Sequence, residues 1–365
     1  MSEREFIMQM RPWIGSEEKD AINSYMQEDG FLTEFKNTKK FEESIAEFTG
    51  SRNCIVVNNG TISLTLAALA LAIKPGDEVL VPNFTMVATP NSIKMIGAKP
   101  IFVDVEVETL CVDLEKLKKS LTPKTKAIML VSANGRPPLT EINSYLNFAK
   151  ENNLKIIEDA AQSLGSYYDK DTHIGLKGDI GSFSFSMPKI ITTGQGGALI
   201  TNNDDLANKL RKLKDFGRTA GGSDIHDSIG FNSKFTEMQA VIGLEQMKKL
   251  DFRIKRKKEI WKRYRDNLST IDQISFFDHD LNLTAPWFID SLCEERDDLI
   301  SYLNEASIGS RVMYPPLNAQ DCYQIEGDFP VSENIGEKGL WLPSYTQLSD
   351  DDIDYVSGHI IKFYS

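Results

Sequence analysis

The chain has 365 residues, 41% of them hydrophobic and 26% charged, with 53 Asp and Glu against 41 Lys and Arg and a formal net charge of −12. This is the composition of a soluble globular protein large enough for two domains, and its acidic balance argues against nucleic acid as a partner. Four scattered cysteines without a CxxC pair and four scattered histidines offer no metal site; a charged start leading into no long apolar segment predicts neither a signal peptide nor a membrane span, and so a cytoplasmic protein.

In chain order, residues 8–14 read as extended. Ser16 followed by Glu17 and Glu18 has the form of an N-cap with acids in the first turn, predicting a helix to about Asp29 that Gly30 stops. A second helix is predicted over 39–48, with Phe41, Ile45 and Phe48 at core spacing and Gly50 at its end. Residues 54–57 form a strand, and Asn58-Asn59-Gly60-Thr61 turns into an apolar helix over 63–72. Such a turn aims backbone amides and the positive end of the helix dipole at an anion, and Thr61 adds a hydroxyl. Strands follow at 78–82, 100–104, 127–131 and 154–157, with helices between them. That alternation predicts βαβ units and a mostly parallel sheet. The loop 132–138 carries Arg136, which suits an anionic substrate group and equally a solvated loop.

The chemistry concentrates in two stretches. Ile156-Ile157-Glu158-Asp159-Ala160-Ala161-Gln162 sets Asp159 just past an apolar strand, where open α/β sheets present catalytic groups. Downstream, 181–186 is a short strand with Phe183 and Phe185 on one face and Ser184 and Ser186 on the other. Pro188 ends the ladder, and Lys189 follows in a turn with Met187 and Ile190, backed by Gly194, Gly196 and Gly197. Apolar neighbours lower a lysine's pKa and free its amine to attack a carbonyl. A carboxylate and a later lysine, each at a strand end, supply what pyridoxal phosphate needs: a pyridinium partner and a Schiff-base amine.

A strand at 198–201 and a helix over 204–216 come next, then a surface loop at 218–228. Residues 230–234 precede a helix beginning near Thr236. One long helix over 240–268 leads from a large domain, 1–245, into a smaller α+β domain, 246–365, with strands at 285–290 and 309–313. The basic run 255–258 reads as a solvated face of that helix.

The series Glu158-Asp159-Ala160-Ala161-Gln162, Phe183-Ser184-Phe185, Lys189 and Thr192-Thr193-Gly194-Gln195-Gly196-Gly197 resembles the sugar aminotransferases of the DegT/DnrJ/StrS group, and the likeness runs from Arg11 to Pro315. The resemblance implies the α/β fold of fold-type-I pyridoxal phosphate transferases: a mostly parallel mixed sheet flanked by helices, with a smaller α+β C-terminal domain. It implies Lys189 as the Schiff-base lysine, Asp159 on the pyridine nitrogen, Gln162 on the phenolic oxygen, and Thr61, Ile62 and Ser184 on the phosphate. Met86 stands where the group usually stacks an aromatic on the ring, and Phe84 reads as core. Asn232 matches an asparagine that reaches the phosphate of the neighbouring subunit in a homodimer with shared sites; otherwise it is a local turn residue. Arg311 and Tyr314 parallel a loop at the substrate mouth. Departures fall at Met86, in the 132–136 loop, which lacks the usual histidine, and at Asn318, where histidine is frequent. The implied reaction takes an amino group from glutamate to a nucleotide-linked 4-keto-6-deoxy sugar, in amino-sugar and surface-polysaccharide (lipopolysaccharide) synthesis. A keto-sugar acid without a nucleotide, such as an 8-keto octulosonic acid, is the second choice. Sugar dehydratases of the group carry histidine in place of Lys189. A non-catalytic regulatory homologue would have no need of Asp159, Gln162, Ser184 and Lys189 together.

Overall fold

The structure is a computed structural model that describes residues 5–28, 30–221 and 223–365. Its large sheet joins β1 (Asn53–Val57), β2 (Glu78–Pro82), β3 (Lys99–Val103), β4 (Thr125–Val131), β5 (Lys155–Asp159), β6 (Ile180–Ser184) and β7 (Gly197–Thr201) in the order β1-β7-β6-β5-β4-β2-β3. β7 runs antiparallel to both neighbours, β1 and β6, and the remaining pairings are parallel. Every strand but β7 therefore ends on the same edge.

The alternation of side chains along each strand divides the burial. Ile55 and Val57 pack with α3 (Gly60–Ala70) in one core, while Cys54 and Val56 pack with Phe41 of α2 (Lys36–Thr49) in another. α1 (Ser16–Gln27) precedes α2 in the chain. Helices α4 (Ala88–Lys94), α5 (Leu114–Lys119) and α6 (Ile142–Glu151) fill connections of the sheet, and α7 (Asp204–Lys214) follows its last strand. Two more, α8 (Glu237–Lys248) and α9 (Leu250–Asn267), replace the single long helix predicted over 240–268. The interruption falls at Lys249, whose Nζ is tied to Glu17 and Glu18 of α1 at 3.1 and 2.8 Å. α1 also starts differently: Gly15 is its cap and its amide donates to Glu18, so Ser16 is the first helical residue.

Beyond α9, β8 (Ile274–Phe276), β9 (Ile289–Cys293), β10 (Arg311–Val312) and β11 (Gly339–Leu342) make an antiparallel sheet in the order β10-β11-β9-β8. It packs with α9, α10 (Arg296–Glu305) and α12 (Asp350–Tyr364) around Ile260, Ile289, Leu303, Leu340 and Val356, and α11 (Pro330–Lys338) precedes β11. The strand predicted at 285–290 begins only at Ile289. Asn134 has taken the backbone of Phe288 instead: its Nδ2 donates to Phe288 O at 2.8 Å and its Oδ1 accepts from Phe288 N at 2.6 Å. No described helix is long and apolar enough to cross a membrane, and no described group of three His, Cys, Asp or Glu is arranged to hold a metal ion.

Candidate active site

The shared edge of the parallel strands collects the residues singled out in the sequence. Asp159 ends β5 and is 6% exposed. Thr89 Oγ1 donates to its Oδ2 at 2.8 Å and the Ala161 amide to its Oδ1 at 3.2 Å. Burial pushes the carboxyl above its ordinary value, while those two donors and the Lys189 ammonium pull it back. A cationic ring nitrogen would supply the charge that this carboxylate lacks.

Lys189 sits in the turn after β6, where its backbone amide donates to Ser186 O. Its Nζ lies 4.2 Å from the centre of the Trp287 ring. Desolvation lowers its pKa to about 8, against a smaller opposing pull from Asp159. The amine and the carboxylate thus sense each other across a site walled by Gln162, Ser184, Lys189 and Trp287.

Two glycines build the anion cradle. A Cβ on Gly60 would lie 2.9 Å from Ser184 Cβ, and one on Gly197 would lie 2.6 Å from Asn59 O. Their bare backbones let the N-terminus of α3 sit directly beside the Ser184 hydroxyl, and a side chain at either position would force the two apart. Asn59 caps α3 by accepting from the Ile62 amide at 2.9 Å. With that amide engaged, Thr61, one residue nearer the helix end, is the better placed of the pair for an anion.

Gln162 is held by the Asn134 amide, which donates to its Oε1 at 2.6 Å, so its Nε2 is the group left to donate. Asn134 itself adopts φ 54, in the left-handed region that asparagine tolerates better than most residues. Met86 is 44% exposed and its Sδ accepts from Ala88 N. Phe84 is core, 3% exposed against Tyr314. Tyr314 packs edge-on to Trp341 at 4.8 Å, and Arg311 lies on exposed β10 with its guanidinium 5.6 Å from the same ring.

Arg136 needs correction. It is neither a solvated loop arginine nor a free anion clamp, being 2% exposed. Its guanidinium meets Asp290 of β9 through both Nη atoms at 3.2 and 2.6 Å, and Nε donates to Thr109 O at 3.1 Å. His279 Nε2 lies 3.0 Å from Nη1. Arg136 thus spends its charge on Asp290, joining the loop after β4 to β9. Asn232 is exposed and its backbone is bridged to Asp215, while the next residue's carbonyl, Ser233 O, accepts from the Asn58 amide at 3.1 Å. Sequence reasoning missed Thr89, Asn134 and Trp287, each of which reaches the site from a distant part of the chain.

A helix-flanked, mostly parallel sheet whose C-terminal edge gathers a buried aspartate, a desolvated lysine and a glycine-lined helix N-terminus is the architecture of a pyridoxal phosphate transaminase. Comparison with known proteins agrees. The chain belongs to the DegT/DnrJ/EryC1/StrS aminotransferase family, whose model matches residues 12–361. It is 35% identical over 364 residues to the GDP-perosamine synthase of Escherichia coli O157:H7, covering 99% of both chains. Among solved structures, a DegT DnrJ EryC1 StrS aminotransferase from Brucella abortus superposes with a TM-score of 0.89 at 30% identity, over 96% of each chain. DesI, solved in the presence of its TDP-sugar product, gives 0.90 at 26% identity, over 99% of this chain and 93% of that one. The protein is an aminotransferase of the sugar-modifying kind, and its cofactor is pyridoxal phosphate.

Proposed function

We propose that the protein transfers an amino group from glutamate to a nucleotide-linked 4-keto-6-deoxy sugar, with Lys189 as the cofactor-binding amine. The observation that carries this reading is the pairing of Lys189, whose amine is desolvated against Trp287, with buried Asp159 at the neighbouring strand end. Relatives named for a GDP-sugar and a TDP-sugar support the nucleotide.

When bound, the pyridoxal ring supplies an electron sink. The chain supplies the rest. Asp159 holds a proton at the ring nitrogen, with Thr89 and the Ala161 amide fixing its carboxylate. The N-terminus of α3 with Thr61, Ile62 and Ser184 holds the phosphate. Gln162, its Oε1 already taken by Asn134, presents Nε2 to the phenolic oxygen. Met86 would offer its thioether to the bound ring. Lys189 Nζ would be the amine that holds the cofactor and, once freed, the general base and acid of the site. Arg311 and Tyr314 flank the acceptor's path; with Arg136 neutralised by Asp290, Arg311 is the cation we assign to the sugar nucleotide's phosphates. The large domain is read as running to about residue 245, within α8, and the small one from there to the end of the chain, with Ile7 of the N-terminal segment packed into the small domain's core beside Ile308.

The reading includes a cytoplasmic homodimer in which Asn232 serves the partner's phosphate. Its supports are the exposure of Asn232 and the apolar side chains around it: Phe231 is 46% exposed and Ile229 89%.

Borohydride reduction of the loaded enzyme followed by peptide mapping tests the core of the proposal. The pyridoxyl label should fall on Lys189, and a label on another lysine overturns the assignment. Glutamate should then bleach the visible band, and product mass should rank the nucleotide-linked keto-sugar above the free keto-sugar acid.

A further inference from the structure

Trp287 belongs to neither the large sheet nor β9, yet it is among the most tightly held side chains near the site. Its amide donates to Asn134 O at 3.3 Å and its carbonyl accepts from the buried Lys257 ammonium. The ring stacks on Phe288, centroids 3.8 Å apart and planes at 20°, and meets Trp341 edge-on at 5.8 Å. Only 4% of the residue is exposed. So fixed, the indole faces the turn after β6. Nε1 donates to Pro188 O at 2.8 Å, and the ring covers Lys189 Nζ at 4.2 Å. One side chain grips the peptide before Lys189 and roofs its amine.

The carbonyl on the other side of Lys189 is gripped too. Arg253 Nη1, reaching from α9, donates to Ile190 O at 2.8 Å. Arg253 is held in turn by Gln246 Oε1 at 2.6 Å and by Trp13 O at 2.9 Å. With both flanking carbonyls pinned, the lysine side chain swings from a fixed base.

We infer that Trp287 is a positioning and shielding residue for the transamination: its N–H fixes the Lys189 turn and its ring keeps water from Nζ. The inference rests on reading Lys189 as the cofactor-binding amine. Two effects of an aromatic face oppose each other here. The π-face attracts the ammonium form, whereas the exclusion of water disfavours it. The indole covers Nζ at 4.2 Å and is itself only 4% exposed, so the face it turns to the amine excludes water; burial lowers the Lys189 pKa to about 8, with Asp159 as the facing charge that opposes it, and we take shielding as the larger of the two effects. A smaller side chain at 287 admits water and restores the ammonium.

The test measures the amine itself in cofactor-free, full-length protein. Lys189 is modified with trinitrobenzenesulfonate across a pH series and its peptide quantified by mass. The wild-type midpoint is expected at about 8. Trp287→Leu should raise it by about one unit or more, and Trp287→Phe should raise it less, in the same direction. An unchanged or lowered midpoint in Trp287→Leu overturns the shielding role. Should the leucine variant not fold, Trp287→Phe decides the matter, and no rise there is equally adverse. A general structural lesion would lower the melting temperature without moving this midpoint, and that outcome also rejects the proposal. Because the titration reads Lys189 whatever its role, it stays separate from the borohydride experiment, which alone decides whether Lys189 carries the cofactor.

Discussion

An amine that attacks carbonyls must be neutral, and a lysine roofed by an indole pays for that readiness in stability. In the cofactor-free protein the folded pKa of Lys189 is about 8, below its ordinary 10.5. The unfolded chain therefore binds more protons than the folded one, and stability attributable to this residue rises with pH across that interval. The penalty is full below pH 8, fades between 8 and 10.5, and vanishes above. Lys189→Met should accordingly stabilise the cofactor-free protein at pH 7, with the gain shrinking toward zero at pH 10.5; melting temperatures over a pH series read this directly, and a gain independent of pH would refute it. Asp159 is the complementary case. Asp159→Asn keeps the shape and removes the charge, and we expect turnover to fall more than about a hundredfold, roughly 3 kcal/mol of barrier. Near-normal turnover would reduce Asp159 to a strand-end anchor for Thr89 and Ala161.

Among elements, the strand-turn-helix units were legible because their signals are local. An apolar run, a glycine turn and an apolar helix suffice to place Thr61, Asp159 and Lys189 on one sheet edge. What escaped was long-range. Asn134 lies 154 residues from Phe288, the residue whose backbone it captures, and no spacing rule reveals that a side chain will replace a ladder partner. The same holds for Arg136. An arginine after a strand looks the same in sequence whether it meets a substrate or Asp290 across the sheet junction. The pair is 2% and 0% exposed at its side chains, so its removal exposes nothing to water and leaves a carboxylate buried alone. Arg136→Ala should cost about 3–5 kcal/mol of stability, seen as a lowered denaturation midpoint. The double variant Arg136→Met/Asp290→Leu should recover much of that loss, because replacing both partners with apolar groups removes the stranded charge. A stable Arg136→Ala protein with selectively impaired acceptor use would return Arg136 to the substrate.

At the scale of the whole molecule, the surface beside the start of α8 is richer in apolar side chains than an isolated subunit needs. Phe31 is 63% exposed, Leu32 53% and Phe35 48%. Their segment is tied to the start of α8, since Thr33 pairs with Thr236 and Leu32 O accepts from Glu237 N. Exposed patches of this kind mark association surfaces, and Asn232 lies four residues before Thr236. If a second copy covers the patch, each Asn232 can face the other copy's α3 and Ser184. Mixing two inactive variants tests this arrangement. In a heterodimer of Lys189→Ala with Asn232→Ala, sharing places both lesions in one site and leaves the other site intact. Up to about half of the heterodimer's sites would then be active, and activity should return as subunits exchange. If Asn232 instead supports its own subunit, every site in the mixture carries one lesion and activity stays absent. Exchange must be verified with tagged subunits, after which an inactive mixture means that Asn232 is a residue of its own turn.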